Sequence, residues 1–134
     1  MRHMPVVLSI LSVALVAGSP TARAGDTSPV DGAELYEDAC ANCHSMTPGR
    51  HKKGPSLAGI IGRRAGTTEG YDYSEALSGA NITWTPENLG KFLAGPREMI
   101  PGTRMKLRPP LSPEEVSAVM KYLSQQQSDG ARVK

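Results

Sequence analysis

The sequence predicts an all-α fold, with about three main helices and one or two short ones, built around a centre that protein side chains do not fill. Three observations lead there. Helix-start signals recur along the chain, whereas no β pattern does. The available core is thin, with one Phe and one Trp in 134 residues. The loops are longer than a compact helical domain normally tolerates. A large apolar group in the middle accounts for both the thin core and the loops.

Each element rests on local chemistry. Asp31 precedes Gly32, Leu35, Tyr36 and Ala39, an i, i+3, i+4, i+7 stripe with acidic residues in its first turn, which predicts the first helix. Ser74 to Leu77 can add a short helical turn. Thr85-Pro86-Glu87 reads as an N-cap followed by proline at the first helical position. That helix runs through Leu89, Phe92 and Leu93 to a stop at Gly95-Pro96. Ser112-Pro113-Glu114-Glu115 is a capping box that opens a last helix of about ten residues, with Val116, Val119, Met120 and Leu123 on one face. Between the helices lie Gly- and Pro-rich loops at 45–70 and 95–111. The one strand-like fragment, Asn81-Ile82-Thr83-Trp84, is too short to build a sheet.

The first residues do not belong to this domain. Arg2 and His3 form a cationic tip, an apolar run spans Val6 to Ala17, and Ala22-Arg23-Ala24 makes an A-x-A cleavage pattern. Residues 1–24 therefore read as a secretory signal peptide and residues 25–134 as the domain. The apolar run falls short of the roughly 20 residues that span a bilayer, though retention as an anchor stays open. The net charge of +2 belongs to this leader. Without Arg2 and Arg23 the chain carries 13 basic and 13 acidic residues, so nothing points to a nucleic-acid partner. Charge is instead polarised. Residues 26–38 hold Asp26, Asp31, Glu34, Glu37 and Asp38 without a base, whereas Lys91, Arg97, Arg104, Lys106 and Arg108 face only Glu98 over residues 91–108. Such a dipole can orient the molecule as it meets a charged partner.

The two cysteines fall in Cys40-Ala41-Asn42-Cys43-His44. A disulfide between them would close a tiny loop and constrain little. A redox couple needs a βαβ context that is absent. A structural zinc needs four ligands, and no second cysteine pair exists. What remains is C-x-x-C-H, the attachment signature of haem c. On a helix, positions i, i+3 and i+4 share one side, so both thiols can bond the haem vinyl groups while His44 reaches the iron. For the sixth iron position, Met105 in the "IPGTRM" loop is favoured and Met99 is the alternative. Met46 lies too near the attachment site, Met120 sits on a core stripe, and His51 reads as a staple between loops.

Taken together, the chain from residue 25 onward resembles a class I cytochrome c, of the mitochondrial type and its bacterial periplasmic relatives. The resembling segments occur in order: "CANCH", "HKKGPSLAGIIGRRAG", "GYDYSEAL", "ITWT" and "FLAGPREMIPGTRM". The resemblance implies one covalent haem c held by Cys40 and Cys43, with iron between His44 and Met105. It implies that the Pro55 carbonyl accepts the other His44 proton. It further implies that Tyr73, Trp84, Arg63 and Thr103 serve the haem propionates, and that Gly32, Tyr36 and Tyr122 form a crossing of the terminal helices. The function it implies is that of a periplasmic one-electron carrier, not an enzyme. Such a carrier would shuttle electrons between redox partners of a respiratory or dehydrogenase chain, as a monomer that docks acidic patches on Lys91, Arg97, Arg104, Lys106 and Arg108. The alternatives are a haem c subunit of a periplasmic redox complex, or a ligand-sensing or peroxidatic haem protein.

The chain departs from the family pattern at three places. Phe92 stands where a Tyr commonly approaches the Met sulfur, and Leu107 where many relatives have a Phe. Arg97, Glu98 and Arg104 replace positions often held by Lys. Because arginine does not readily deprotonate, the Met ligation is expected to resist alkali, with Lys106 the main candidate to displace it.

Overall fold

The computed structural model describes residues 29–132, with side chains described as far as Gln127. The leader expected over residues 1–24 lies outside the described residues. Five helices form: α1 Gly32–Ala39, α2 Glu75–Ser78, α3 Pro86–Ala94, α4 Pro96–Met99 and α5 Pro113–Arg132. The described residues contain no β-sheet. Their strand-like stretch makes only an isolated bridge between Arg64 and Thr83, closed by bonds such as Trp84 N–H to the Arg63 carbonyl at 2.8 Å.

The caps work as their side chains dictate. Asp31 Oδ1 accepts from the amides of Ala33 and Glu34 at 2.8 and 3.3 Å, satisfying two donors that the first turn leaves orphaned. Thr85 Oγ1 accepts from Asn88 N–H at 3.1 Å to start α3. The capping box of α5 is reciprocal: Ser112 N–H donates to Glu115 Oε2 at 2.7 Å, and Glu115 N–H to Ser112 Oγ at 3.2 Å. Two features differ from the sequence reading. α4 forms inside the expected 95–111 loop, because Pro96 supplies an N1 residue for one further turn directly after Gly95. α5 runs for 20 residues, beyond the apolar stripe that made its first half legible.

Packing centres on the terminal helices. α5 lies across α1 and also packs on α3, burying Val119 and Leu123. At the α1–α5 crossing a Cβ on Gly32 would stand 2.2 Å from the Ala118 carbonyl oxygen, so only glycine permits this approach. Beside it the rings of Tyr36 and Tyr122 stack at 5.2 Å. α3 buries Leu89, Phe92 and Leu93, and Phe92 lies 4.9 Å from Trp84, ring centre to ring centre. The 45–70 loop is held largely by polar ties. His51 is one of them: Nδ1 accepts from Ser56 N–H at 3.0 Å and Nε2 pairs with the Glu69 carbonyl at 2.9 Å. Among the described residues no helix is long and apolar enough to cross a membrane.

Candidate functional site

The helices and loops enclose a cavity of about 280 Å³. Its walls are mostly apolar: Leu57, Ile60, Leu77, Leu89, Leu93 and Leu123 line it, together with Trp84 and Phe92. Cys40, Cys43, His44 and Met105 all border the same space. A void this apolar, with a few convergent polar groups, is the form ligand sites take.

One wall comes from the chain just past α1. The regular helix stops at Ala39, so the cysteine motif is not within α1 as the i, i+3, i+4 reading assumed. A separate turn preserves the spacing instead. The amides of Cys43 and His44 both donate to the Cys40 carbonyl, at 3.0 and 2.9 Å. The cysteines are not joined to each other. Burial, reinforced by neighbouring Cys43, pushes the Cys40 thiol up to about 11.

His44 is buried beside them. Its Nδ1 lies 2.8 Å from the Pro55 carbonyl oxygen, the contact the resemblance implies. That oxygen can only accept, so Nδ1 carries the proton and a neutral ring keeps its lone pair on Nε2. Burial favours the neutral ring, lowering its pKa against the raising influence of the Pro55 bond; nearby Lys52 lowers it further. Gly54 sits against the imidazole so closely that a Cβ there would lie 2.3 Å from Cε1. The sequence reading passed over Gly54, because Gly-Pro reports a loop without revealing what it packs on.

A second wall comes from the loop after α4. Of the described methionines, Met46, Met99 and Met120 pack against the core without reaching the cavity, and Met105 alone lines it. Thr103 is buried, and its Oγ1 accepts from Met105 N–H at 3.3 Å. Leu107 also lines the cavity.

The polar lining includes Arg63, Tyr73, Trp84 and Thr103. Arg63 donates to the carbonyls of Ala58 and Ser56 at 2.9 and 3.1 Å. Burial lowers its pKa, and Tyr73 opposes the shift. No carboxylate of the described residues pairs with it. An uncompensated, half-buried cation at the wall of an apolar cavity suits a ligand that brings its own anion. Tyr73 packs edge-on to Tyr71 at 4.8 Å, and its hydroxyl bonds to none of the described residues, leaving a donor free. Two thiols, a neutral imidazole, a thioether and a cation around an apolar space thus fit a haem with its propionates.

The five basic residues divide between two ion pairs and two hollows. Lys91 pairs with Glu87 at 2.6 Å and Arg104 with Asp72 at 3.2 Å. Arg104 and Lys106 reach the cavity rim, as does Lys53, which the sequence reading missed. Arg97 and Arg108 instead border a second hollow of about 180 Å³, with Lys106, Glu98, Leu93 and Leu107.

Comparison with known proteins agrees with this geometry. The chain is 40% identical over 95 residues to cytochrome c2 of Rhodopila globiformis, covering 71% of this chain and 90% of that protein. It is 35% identical over 118 residues to cytochrome c2 of Blastochloris viridis, covering 87% and 92%. The solved structure of cytochrome cH from Methylobacterium extorquens superposes with a TM-score of 0.63 at 32% identity, covering 70% of this chain and 94% of that one. The family model for cytochrome c matches residues 29–127, the stretch that holds the thiols, the imidazole and the thioether around one cavity. The chain therefore belongs to the cytochrome c family, as an electron-transfer protein that binds haem c with its iron covalently and works with redox partners.

Proposed function

We infer that this protein is an exported, diffusing one-electron carrier of the periplasm, passing electrons between redox proteins of a respiratory or dehydrogenase chain. In this reading Cys40 and Cys43 would form the two thioethers, and His44 and Met105 would hold the iron. Pro55 orients His44, and Arg63, Tyr73, Trp84 and Thr103 serve the propionates. The observation that carries the reading is that Met105, alone among the described methionines, lines the cavity that His44 also lines.

Haem c, when bound, supplies a reversible one-electron couple at its iron. The chain's own residues set the terms of that exchange. His44 is held in one tautomer by Pro55, so its ligating nitrogen needs no reorientation between oxidation states. A thioether from Met105 favours the reduced state. The apolar walls do the same, because desolvation penalises the centre with the larger charge. If His44 and Met105 both hold the iron, no position would be left to bind a substrate, which supports a carrier over an enzyme. Export is supported by the leader pattern of residues 1–24. Docking is supported by Arg97, Lys106 and Arg108, which form no ion pair among the described residues and offer an acidic partner a surface around the second hollow beside Leu107, which lines both hollows.

The test is made on the purified holoprotein. Intact mass is expected to equal residues 25–134 plus one haem, and the oxidised spectrum to show the red Met–iron band. Met105→Ala should abolish that band, let the reduced protein bind carbon monoxide, and lower the potential by on the order of 100 mV, within the ~0.8 V that axial ligands command. A variant that keeps the band assigns the sixth position to another residue.

Alkaline behaviour follows from the arginines. The wild-type band should persist through the mildly alkaline range, because Arg97 and Arg104 stand where relatives often carry a lysine able to replace the sulfur. Lys106→Ala should move the remaining transition to still higher pH. Absorbance titration checks both statements, and early loss of the band in the wild type sinks the first.

A further inference from the structure

Residues 101–111 pack on the core through Thr103, Met105 and Leu107 but make few hydrogen bonds. Apart from a local turn in which Thr103 N–H donates to the Ile100 carbonyl, they have one hydrogen-bonded tie to the rest of the described chain. That tie is Arg104 to Asp72. Nη1 and Nη2 of Arg104 reach Asp72 Oδ2 at 3.3 and 3.2 Å, and Nη2 also bonds the Asp72 carbonyl. Arg104 immediately precedes Met105.

The residue before Asp72 is tied in the other direction. Tyr71 Oη donates to the Lys53 carbonyl at 2.7 Å. Lys53 leads into Gly54 and Pro55, the two residues that seat the His44 ring. Tyr71 is braced on both sides, by His51 at 5.6 Å and by Tyr73 at 4.8 Å between ring centres. The dipeptide Tyr71-Asp72 thus links the segment that seats His44 to the loop that carries Met105.

We propose that Tyr71 and Asp72 are positioning residues for the distal iron ligand, and that together they limit how far the 100–107 loop can swing away from the His44 wall. This rests on the reading of His44 and Met105 as the iron ligands. The carboxylate of Asp72 is well exposed, so its share is screened by salt. The share of Tyr71 is a neutral hydrogen bond and is not. Removing the Tyr71 hydroxyl or the Asp72 carboxylate, which leaves Arg104 only its bond to the Asp72 carbonyl, makes loop opening easier, and an exogenous ligand then competes better with Met105. The two contacts act in series, because Asp72 can restrain Arg104 only while its own segment is held.

The probe is imidazole, titrated into the oxidised holoprotein and followed by loss of the Met–iron band. Tyr71→Phe and Asp72→Ala should each tighten imidazole binding by roughly two- to five-fold. The double variant should be no tighter than the stronger single one. Imidazole affinity of the wild type should rise with ionic strength, and that of Asp72→Ala should not. Asp31→Ala, which removes the N-cap bonds to Ala33 and Glu34 at the start of α1 and touches neither the Met105 loop nor Tyr71 and Asp72, should lower the denaturation midpoint and leave imidazole affinity unchanged. Single-variant affinities within error of the wild type would overturn the proposal, as would factors that multiply in the double variant, or an Asp31→Ala affinity that changes as much. A wild type without the Met–iron band would instead remove Met105 from the sixth position, a different failure with a different signature.

Discussion

Gly54→Ala is expected to be the most damaging single-methyl change at the site. The added Cβ would stand 2.3 Å from Cε1 of His44, 2.7 Å from Nδ1 and 2.9 Å from Nε2. Restoring an ordinary contact of ~3.5–4.0 Å means moving the ring or the loop by more than about 1 Å, beyond the roughly 0.5 Å that a functional constellation tolerates. The loop has little freedom to yield, since Gly54 N–H donates to the Cys43 carbonyl at 2.7 Å. The ring would yield instead and lose its bond to Pro55. Overpacking of this kind costs about 1–3 kcal/mol or more, and here it falls on the residue proposed to hold the iron. Holoprotein yield should fall sharply, and any holoprotein recovered should have a lower potential and a weakened Met–iron band. Potentiometry and intact mass check this, and a variant with wild-type yield, potential and spectrum would refute it.

Gly32→Ala should have the largest effect on the fold. Alanine is the better helix former by about 1 kcal/mol, so propensity alone predicts stabilisation. The clash decides otherwise, because the Cβ would lie 2.2 Å from a backbone oxygen of Ala118 and 3.1 Å from Tyr122 Cβ. Neither can rotate away as a flexible side chain would. α1 must lift from α5, opening the Tyr36–Tyr122 stack. Because α1 leads straight into the Cys40–His44 turn, the motif would move with it. The melting temperature of the holoprotein should fall by on the order of 10 °C or more. Gly90→Ala is the matched comparison, since its Cβ in α3 would sit 3.9 Å from Val116 Cγ1 of α5, an ordinary contact. It should be neutral or slightly stabilising. Equal losses in the two variants would show that the close approach at Gly32 is not the cause.

Both glycines show where the sequence stops being readable. Gly32 stood out because the resemblance places it at the crossing of the terminal helices, but its distance from Ala118 depends on a helix more than eighty residues away. Gly54 lay within a resembling segment without being singled out, because its partner is set by the return of the 45–70 loop onto the cysteine turn. Capping residues were legible for the opposite reason. Asp31, Ser74, Thr85 and Ser112 each bond within three residues of themselves, so the local sequence contains the whole interaction. The five helices and the cysteine motif could be read on those terms, apart from α4 and the polar second half of α5. The charged surface could not, since pairing of Arg104 with Asp72 and entry of Lys53 to the rim both depend on tertiary approach. Lys91 is the exception, and its Glu87 partner at i−4 was open to inspection.

The flanks of Met105 have a consequence for how this protein can change. Arg104 and Lys106 border the same cavity on either side of it. A slip of one residue in either direction would exchange a soft, uncharged sulfur for a hard cation. A single insertion or deletion between Ile100 and Leu107 changes the chemistry at the cavity. The length of that segment is therefore under tighter constraint than most of its letters.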